Sequence, residues 1–326
     1  MRRLFGNIIL LLILTVLAAV PAIAWDDVGH KITGYIAWQR MSPAARENVI
    51  KILRAAPEDS QLATFYQSYG LEPEATRKRE YFMLVTTWAD IVRDRDVKTR
   101  FANYNKGNWH YADTFWKQVN GKVEELSGFP EGGLGLEKLI EMDKVLRDPL
   151  ASNGDKAIAI AWIMHIGGDL HQPLHTSARV TDVEPKGDQG GNLFLLSPEG
   201  AKREDRVNLH SYWDSITGRN IPFKGEQCER DYIEPIADKI MKRYPFEKVQ
   251  AQLKLGQYDA WQKEAFAFNL TDVFSADLKR NEMPTDKYRK NAFEVSERQF
   301  AMAGYRLGET LNRIFGAAPI TTEIVK

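Results

Sequence analysis

The run His165-Ile-Gly-Gly-Asp-Leu-His-Gln-Pro-Leu-His175 holds three of the six histidines in a chain of 326 residues, and its spacing dictates much of the local fold. His165 and Asp169 are four residues apart, so a helix places both on one face, one turn from each other. Pro173 removes a backbone donor and clashes with the carbonyl of Asp169, so that helix must end or kink there. On an unbroken helix His175 would point about 80° away from His165; beyond the proline it is free to turn back. Gly167 and Gly168 admit a close neighbour at some cost in helix stability. The same spacing recurs in Asn208-Leu-His-Ser-Tyr-Trp-Asp214, which carries His210 and Asp214. Imidazole and carboxylate at i and i+4 can fill two adjacent corners of a tetrahedral zinc site. One such pair is usually a surface pair or a satisfied buried hydrogen bond. Two pairs, a redirected histidine, and the scarce His30 and His110 near Asp90 together predict a metal cluster joining distant segments.

The first 24 residues read as a leader rather than as part of the fold. Arg2 and Arg3 precede an apolar run from Ile8 to Val20, and Ala22-Ile23-Ala24 gives a small-x-small cleavage pattern. The run is short for a transmembrane helix, so no stable membrane anchor is expected after cleavage, and Trp25 would become the mature N-terminus. Export to a bacterial periplasm or beyond is the expectation, because Cys228 is the only cysteine and an exported chain without disulfides suits that route. Of 44 basic and 44 acidic residues, Arg2 and Arg3 leave with the leader, so the mature charge is 42 − 44 = −2. No basic excess announces a nucleic-acid partner, and no obligate protein partner is evident. The glycosylation triplet Asn269-Leu270-Thr271 is discounted as a chance match.

Helical signals dominate the remainder. Ser42-Pro43 looks like an N-cap followed by a first-turn proline. Helix-period apolar positions recur over Tyr81–Val92, Leu136–Leu146, Ile158–Leu170, Ile233–Met241, Trp261–Leu278 and Phe293–Ile314. A Gly- and Pro-containing loop over 177–191 leads to Leu193-Phe-Leu-Leu196, read as a short strand or hairpin arm near 191–197. The expectation is one all-α (mainly α-helical) domain over 25–316 and a loose tail over 317–326.

In order along the chain, Trp25-Asp-Asp-Val-Gly-His30, Trp88-Ala-Asp90-x-x-Arg93, Trp109-His110-Tyr111-x-Asp113, His165-x3-Asp169-x-His171-Gln-Pro-Leu-His175, Gly190-Gly-Asn192 and His210-x3-Asp214 follow one another. This series resembles the motifs of the zinc-dependent single-strand-specific nucleases of fungi, plants and bacteria, mainly α-helical enzymes related to the bacterial zinc phospholipases C. The motif match runs from Trp25 to Asp214; beyond it the likeness is only helical character.

The resemblance implies three zinc ions. Asp90, His110, His165 and Asp169 would hold the first, and His175, His210 and Asp214 the second. The third would take the free amine and carbonyl of Trp25 with His30 and Asp169, so Asp169 would bridge two ions. His171 would be structural. The implied substrates are single-stranded nucleic acid and nucleotides, with a 3′-nucleotidase activity. Asp90 would help orient the nucleophile and Arg93 would contact phosphate. Tyr111 would stack on an unpaired base, with Asp113, Gly190 and Asn192 reading its edge; the family often has Phe at Tyr111. Trp88, Trp109 and Trp213 read as packing walls. Two rival readings are a zinc phospholipase C and a non-enzymatic zinc-binding protein. The first has Glu where Asp214 stands and lacks the Tyr111–Asp113 pattern; the second has no need of Arg93.

Overall fold

The computed structural model describes residues 25–129, 132–225 and 228–316; the leader and the tail over 317–326 lie outside them. Among the described residues thirteen α-helices and one small sheet form. The helices are α1 (Asp27–Arg40), α2 (Pro43–Leu53), α3 (Glu74–Val85), α4 (Trp88–Ile91), α5 (Lys98–Tyr104), α6 (Gly135–Arg147), α7 (Asn153–Asp169), α8 (Leu209–Asp214), α9 (Ile216–Asn220), α10 (Glu229–Arg243), α11 (Phe246–Val249), α12 (Tyr258–Phe266) and α13 (Asp286–Phe315). The fold is mainly helical, as expected.

Local chemistry explains the helix starts. Ser42 caps α2 by accepting from the Ala45 amide, with Pro43 in the first turn. Ser152 caps α7 and Thr285 caps α13 in the same way. Helix α7 is buried on every side from Ala159 to Asp169, as an all-round apolar helix at the centre of a core must be. Helix α1, which no apolar period announced, crosses α13 closely. A Cβ on Gly304 would come within 2.5 Å of Ile36 Cβ, so glycine there permits the approach.

Two apolar clusters flank the centre. One packs α2, α3, α6 and α7 around Phe82, Trp88 and Trp162. The other gathers Trp25, Trp116, Trp213, Ile236 and Phe300.

Three sequence expectations need correction. The helix expected over Tyr81–Val92 is two helices, broken at Thr86 and Thr87, whose hydroxyls donate to the carbonyls of Met83 and Leu84. The helix expected over Trp261–Leu278 stops at Phe266, followed by a π-turn over Asn269–Val273. The strand expected near 191–197 is a single bridge between Leu195 and Asn208. Positive φ at Gly190 and Gly191 bends that segment, and Phe194 and Leu196 turn into the core instead. The sheet lies elsewhere, ordered β2-β1-β3 from β1 (Thr114–Val119), β2 (Lys122–Glu125) and β3 (Ser177–Arg179). Strands β1 and β2 are antiparallel; β1 and β3 are parallel, with Thr114 opposite Ser177 and Trp116 opposite Arg179.

Candidate metal centre and base pocket

The end of α7, the turn after it, the start of α4 and the short α8 meet at one buried point. Helix α7 ends at Asp169, and Pro173 opens a single 3₁₀ turn that carries His175 back, as the position of the proline predicts. Around Asp169 stand His30 Nε2, His110 Nδ1 and His165 Nε2, each 3.3 Å from a carboxylate oxygen. Asp90 Oδ1 lies 3.8 Å from His165 Nε2 and 3.9 Å from His110 Nδ1. A second cluster has Asp214 at 3.8 Å from His175 Nε2 and 3.5 Å from His210 Nε2. Tetrahedral zinc with bonds of about 2.0–2.1 Å needs donor separations of about 3.3–3.4 Å, and these distances bracket that value. Three groups of ligand atoms are close enough to share an ion: His30 with Asp90 and His165, His110 with His165 and Asp169, and His175 with His210 and Asp214.

Backbone carbonyls fix the imidazoles. Nδ1 of His165 donates to Thr86, that of His175 to His110, and that of His210 to Gly190, at 2.8, 2.7 and 2.7 Å. Each bond selects the tautomer whose Nε2 lone pair faces the cluster, the usual arrangement behind metal-bound histidine. His171 is the contrast. Its Nδ1 faces Gly167 O and its Nε2 accepts from Arg306, so both nitrogens are used structurally.

Desolvation outweighs every nearby charge here, and that is the electrostatic signature. Desolvation lowers His30 and His210 to about 4 and His165 to about 3, and pushes His110 and His175 down as well. It raises Asp169 to about 6 and Asp214 to about 7, and shifts Asp90 upward. Both carboxylate oxygens of Asp90 and of Asp169, both nitrogens of His30, and Nε2 of His110, His175 and His210 are buried without a hydrogen-bond partner. Orphaned buried polar groups are costly. Most of these orphans, His30 Nε2, Nε2 of His175 and His210 and the oxygens of Asp90 and Asp169, converge on common points, where His110 Nδ1 and His165 Nε2 also face each other at 2.9 Å, a donor set that fits zinc.

The remaining candidates take the following places. Trp25 is fully buried, its indole donating to Gly168 O at 3.1 Å and lying 4.5 Å from the Phe300 ring. The next residue, Asp26, donates its amide to Asp214 O, so the first described residues are stitched to the cluster. Arg93 Nε lies 3.3 Å from Asp90 Oδ1, and its positive charge bears on His165, Asp169 and Asp214. The Tyr111 ring stacks on His175 at 4.9 Å and 15°. Asp113 has a buried, unpartnered Oδ1. Gly190 acts through its carbonyl on His210. Asn192 uses its amide within the loop wall, donating to Gln189 O and accepting from Asn208. Trp88 and Trp213 are fully buried walls.

Several supports gave no sequence signal. Gln172 donates to Asp214 Oδ1 at 2.8 Å; its place inside the His-Gln-Pro-Leu-His run was the one available hint. From the last third of the chain, Gln262, Asn269 and Gln299 donate to the carbonyls of Ala112, Pro173 and His171. Asn269 is fully buried, which removes it as a glycan acceptor in the folded chain.

The family model for S1/P1 nuclease matches residues 25–316. Nuclease P1 of Penicillium citrinum is 22% identical over 310 residues, 90% of this chain and 98% of that protein. Nuclease S1 of Aspergillus oryzae is 23% identical over 335 residues, 93% and 97% of the two chains. Endonuclease 5 of Arabidopsis thaliana is 30% identical over 177 residues, 49% of this chain and 52% of that protein, so that match spans about half the length of the relative.

Proposed function

Because the chain belongs to the S1/P1 nuclease family, we propose that it is a zinc-dependent endonuclease hydrolysing phosphodiester bonds of single-stranded RNA and DNA, with 3′-nucleotidase activity. The observation that carries this reading is the convergence of imidazole nitrogens and carboxylate oxygens, most of them with no other partner, around Asp169 and Asp214. Three ions are assigned: one to Asp90, His110, His165 and Asp169; one to His175, His210 and Asp214; one to His30, Asp169 and the freed amine and carbonyl of Trp25.

Zinc bound there supplies Lewis acidity and a water whose pKa falls to about 7. The protein's own groups then set the outcome. Asp90, with Arg93 against it, is placed to orient the attacking water. The Arg93 guanidinium can meet two phosphate oxygens with parallel hydrogen bonds. Tyr111, braced on one face by His175, offers its other face to a base. Stacking asks only that the base be unpaired, which gives strand preference without sequence preference. Asp113 supplies a polar edge. Asp rather than Glu at 214, and the Tyr111–Asp113 pair, favour this reading over a phospholipase C.

The domain spans 25–316, and residues 1–24 serve as a cleaved export leader to the periplasm or the medium. No helix of the described residues is long and apolar enough to cross a membrane. The test is the zinc-loaded chain beginning at Trp25, assayed on single-stranded DNA, single-stranded RNA, duplex DNA and a 3′-mononucleotide, with and without chelator. Chelator-sensitive cleavage of both single strands, well above duplex, is expected. Absence of strand cleavage, or equal rates on duplex, refutes the proposal. One extra residue before Trp25 should lower zinc content; equal zinc in both forms would remove the amine from the ligand set.

A further inference from the structure

Strand β1 leaves the base pocket directly. Asp113 precedes it, and alternation along the strand places Asp113, Phe115 and Lys117 on one face, Thr114 and Trp116 on the other. The second face is the core side: Trp116 is fully buried, with Phe266 and Phe274 at 6.2 and 5.8 Å. The first face emerges from the interior, from Asp113 with its buried Oδ1 to Lys117 at the surface. Phe115 is half-buried and stacks on Phe129, also half-buried, at 4.6 Å and 14°. Lys117 is 43% exposed and pairs with Glu124 at 2.9 Å, a surface contact easily exchanged. Gly187 from the loop after β3 lies against the Phe115 edge, where a Cβ would come within 2.9 Å.

This row is thus a polar edge at Asp113, an aromatic pair at Phe115 and a cation at Lys117. Successive members are about 6.7 Å apart along the strand, the scale of one extended nucleotide step. Aromatic rings interleaved with cations along a groove are the arrangement that binds single strands irrespective of sequence. A pair serving only as hairpin packing would gain by full burial, yet both rings remain partly exposed.

We propose that this face extends the substrate track, with Phe115, backed by Phe129, stacking on the base next to the one held at Tyr111, and Lys117 meeting a phosphate beyond it. The inference rests on the proposed nuclease function and adds a second base subsite on the sheet. The ligand is an unpaired stretch of at least three nucleotides.

The test uses the zinc-loaded enzyme with thymidine 3′-monophosphate, which has one base only, and a thymidine hexanucleotide, comparing kcat/KM for the two. The ratio of hexanucleotide to mononucleotide should fall about tenfold in Phe115→Ala. Phe115→Leu, which keeps apolar volume against Phe129 and hence the fold, should lose the same preference. Lys117→Gln should flatten the salt dependence of the hexanucleotide KM. If the ratio stays at the wild-type value in Phe115→Leu, or both substrates decline in step, the second subsite is refuted. A wild-type enzyme that leaves the hexanucleotide uncut overturns the nuclease reading as well, so the two failures are told apart by the wild-type arm.

Discussion

Gly190→Ala isolates the carbonyl lock behind one histidine of the proposed metal centre. Gly190 has φ of +62°, a conformation that costs a residue with a Cβ about 1–2 kcal/mol. An alanine Cβ would also collide with the Leu174 carbonyl oxygen, closer than real Cβ atoms approach, and relieving such a clash costs about 1–3 kcal/mol. The loop must therefore move, and what it carries is the carbonyl that His210 Nδ1 bonds at 2.7 Å. Loss of a partner that orients a metal-bound imidazole typically weakens metal affinity about 10–100-fold. Gly200→Ala is the control, because Gly200 has φ of +83° with nothing within 4 Å of an added methyl, so it bears the backbone cost alone. Zinc affinity is read by competition with a chromophoric chelator, and stability by thermal unfolding. At about 2 °C per kcal/mol, the lower end of the range for a domain of this size, Gly190→Ala should lose about 4–10 °C and Gly200→Ala about 2–4 °C. Only Gly190→Ala should bind one zinc at least tenfold more weakly. Equal zinc affinity in the two variants would show that the carbonyl of Gly190 does not govern His210.

Asp169→Asn should strip more zinc than Asp214→Asn, because Asp169 faces imidazoles from three separate segments and Asp214 only two; elemental analysis showing equal loss would end the bridging assignment. A strong chelator should lower the unfolding temperature as well as abolish activity, since the ligands tie residues 30 to 214 together without a disulfide; calorimetry with an unmoved transition would contradict this. Arg306→Met should destabilise by roughly 3 kcal/mol. It removes a fully buried guanidinium bonded to His171 Nε2, Glu264 and two backbone carbonyls. Zinc content should hold, and a loss in chemical denaturation below about 1 kcal/mol would make that network dispensable.

The parts legible in the sequence are those where one residue's chemistry acts at fixed spacing. His165 with Asp169, His210 with Asp214, and the stop imposed by Pro173 are consequences of helix geometry, and the fold brings them together accordingly. Ser42-Pro43 declares its cap. The break at Thr86 and Thr87 is hidden because apolar period continues across it, although the break is what frees the Thr86 carbonyl for His165. The sheet escapes a helix-dominated reading despite Asn120-Gly121, both at positive φ, a strong two-residue hairpin signal. Its partner β3 is three residues long and pairs with a strand roughly sixty positions away, beyond any local pattern. The amide donors Gln262, Asn269 and Gln299 could not be anticipated, since their acceptors are backbone carbonyls that every residue possesses.

Those late donors bear on the order in which the molecule can be completed. Every proposed ligand has been synthesised once residue 214 is made, yet the fixing of the ligand-bearing turn waits for Gln262, Asn269, Gln299 and Arg306, and the glycine crossing that seats α1 waits for Gly304. A nascent or truncated chain ending before α13 would carry every proposed ligand residue with no rigid frame around them. On the proposed zinc assignment, stable metal capture would therefore belong to the chain that includes α13, and a C-terminal truncation would lose it while every proposed ligand side chain remained in place.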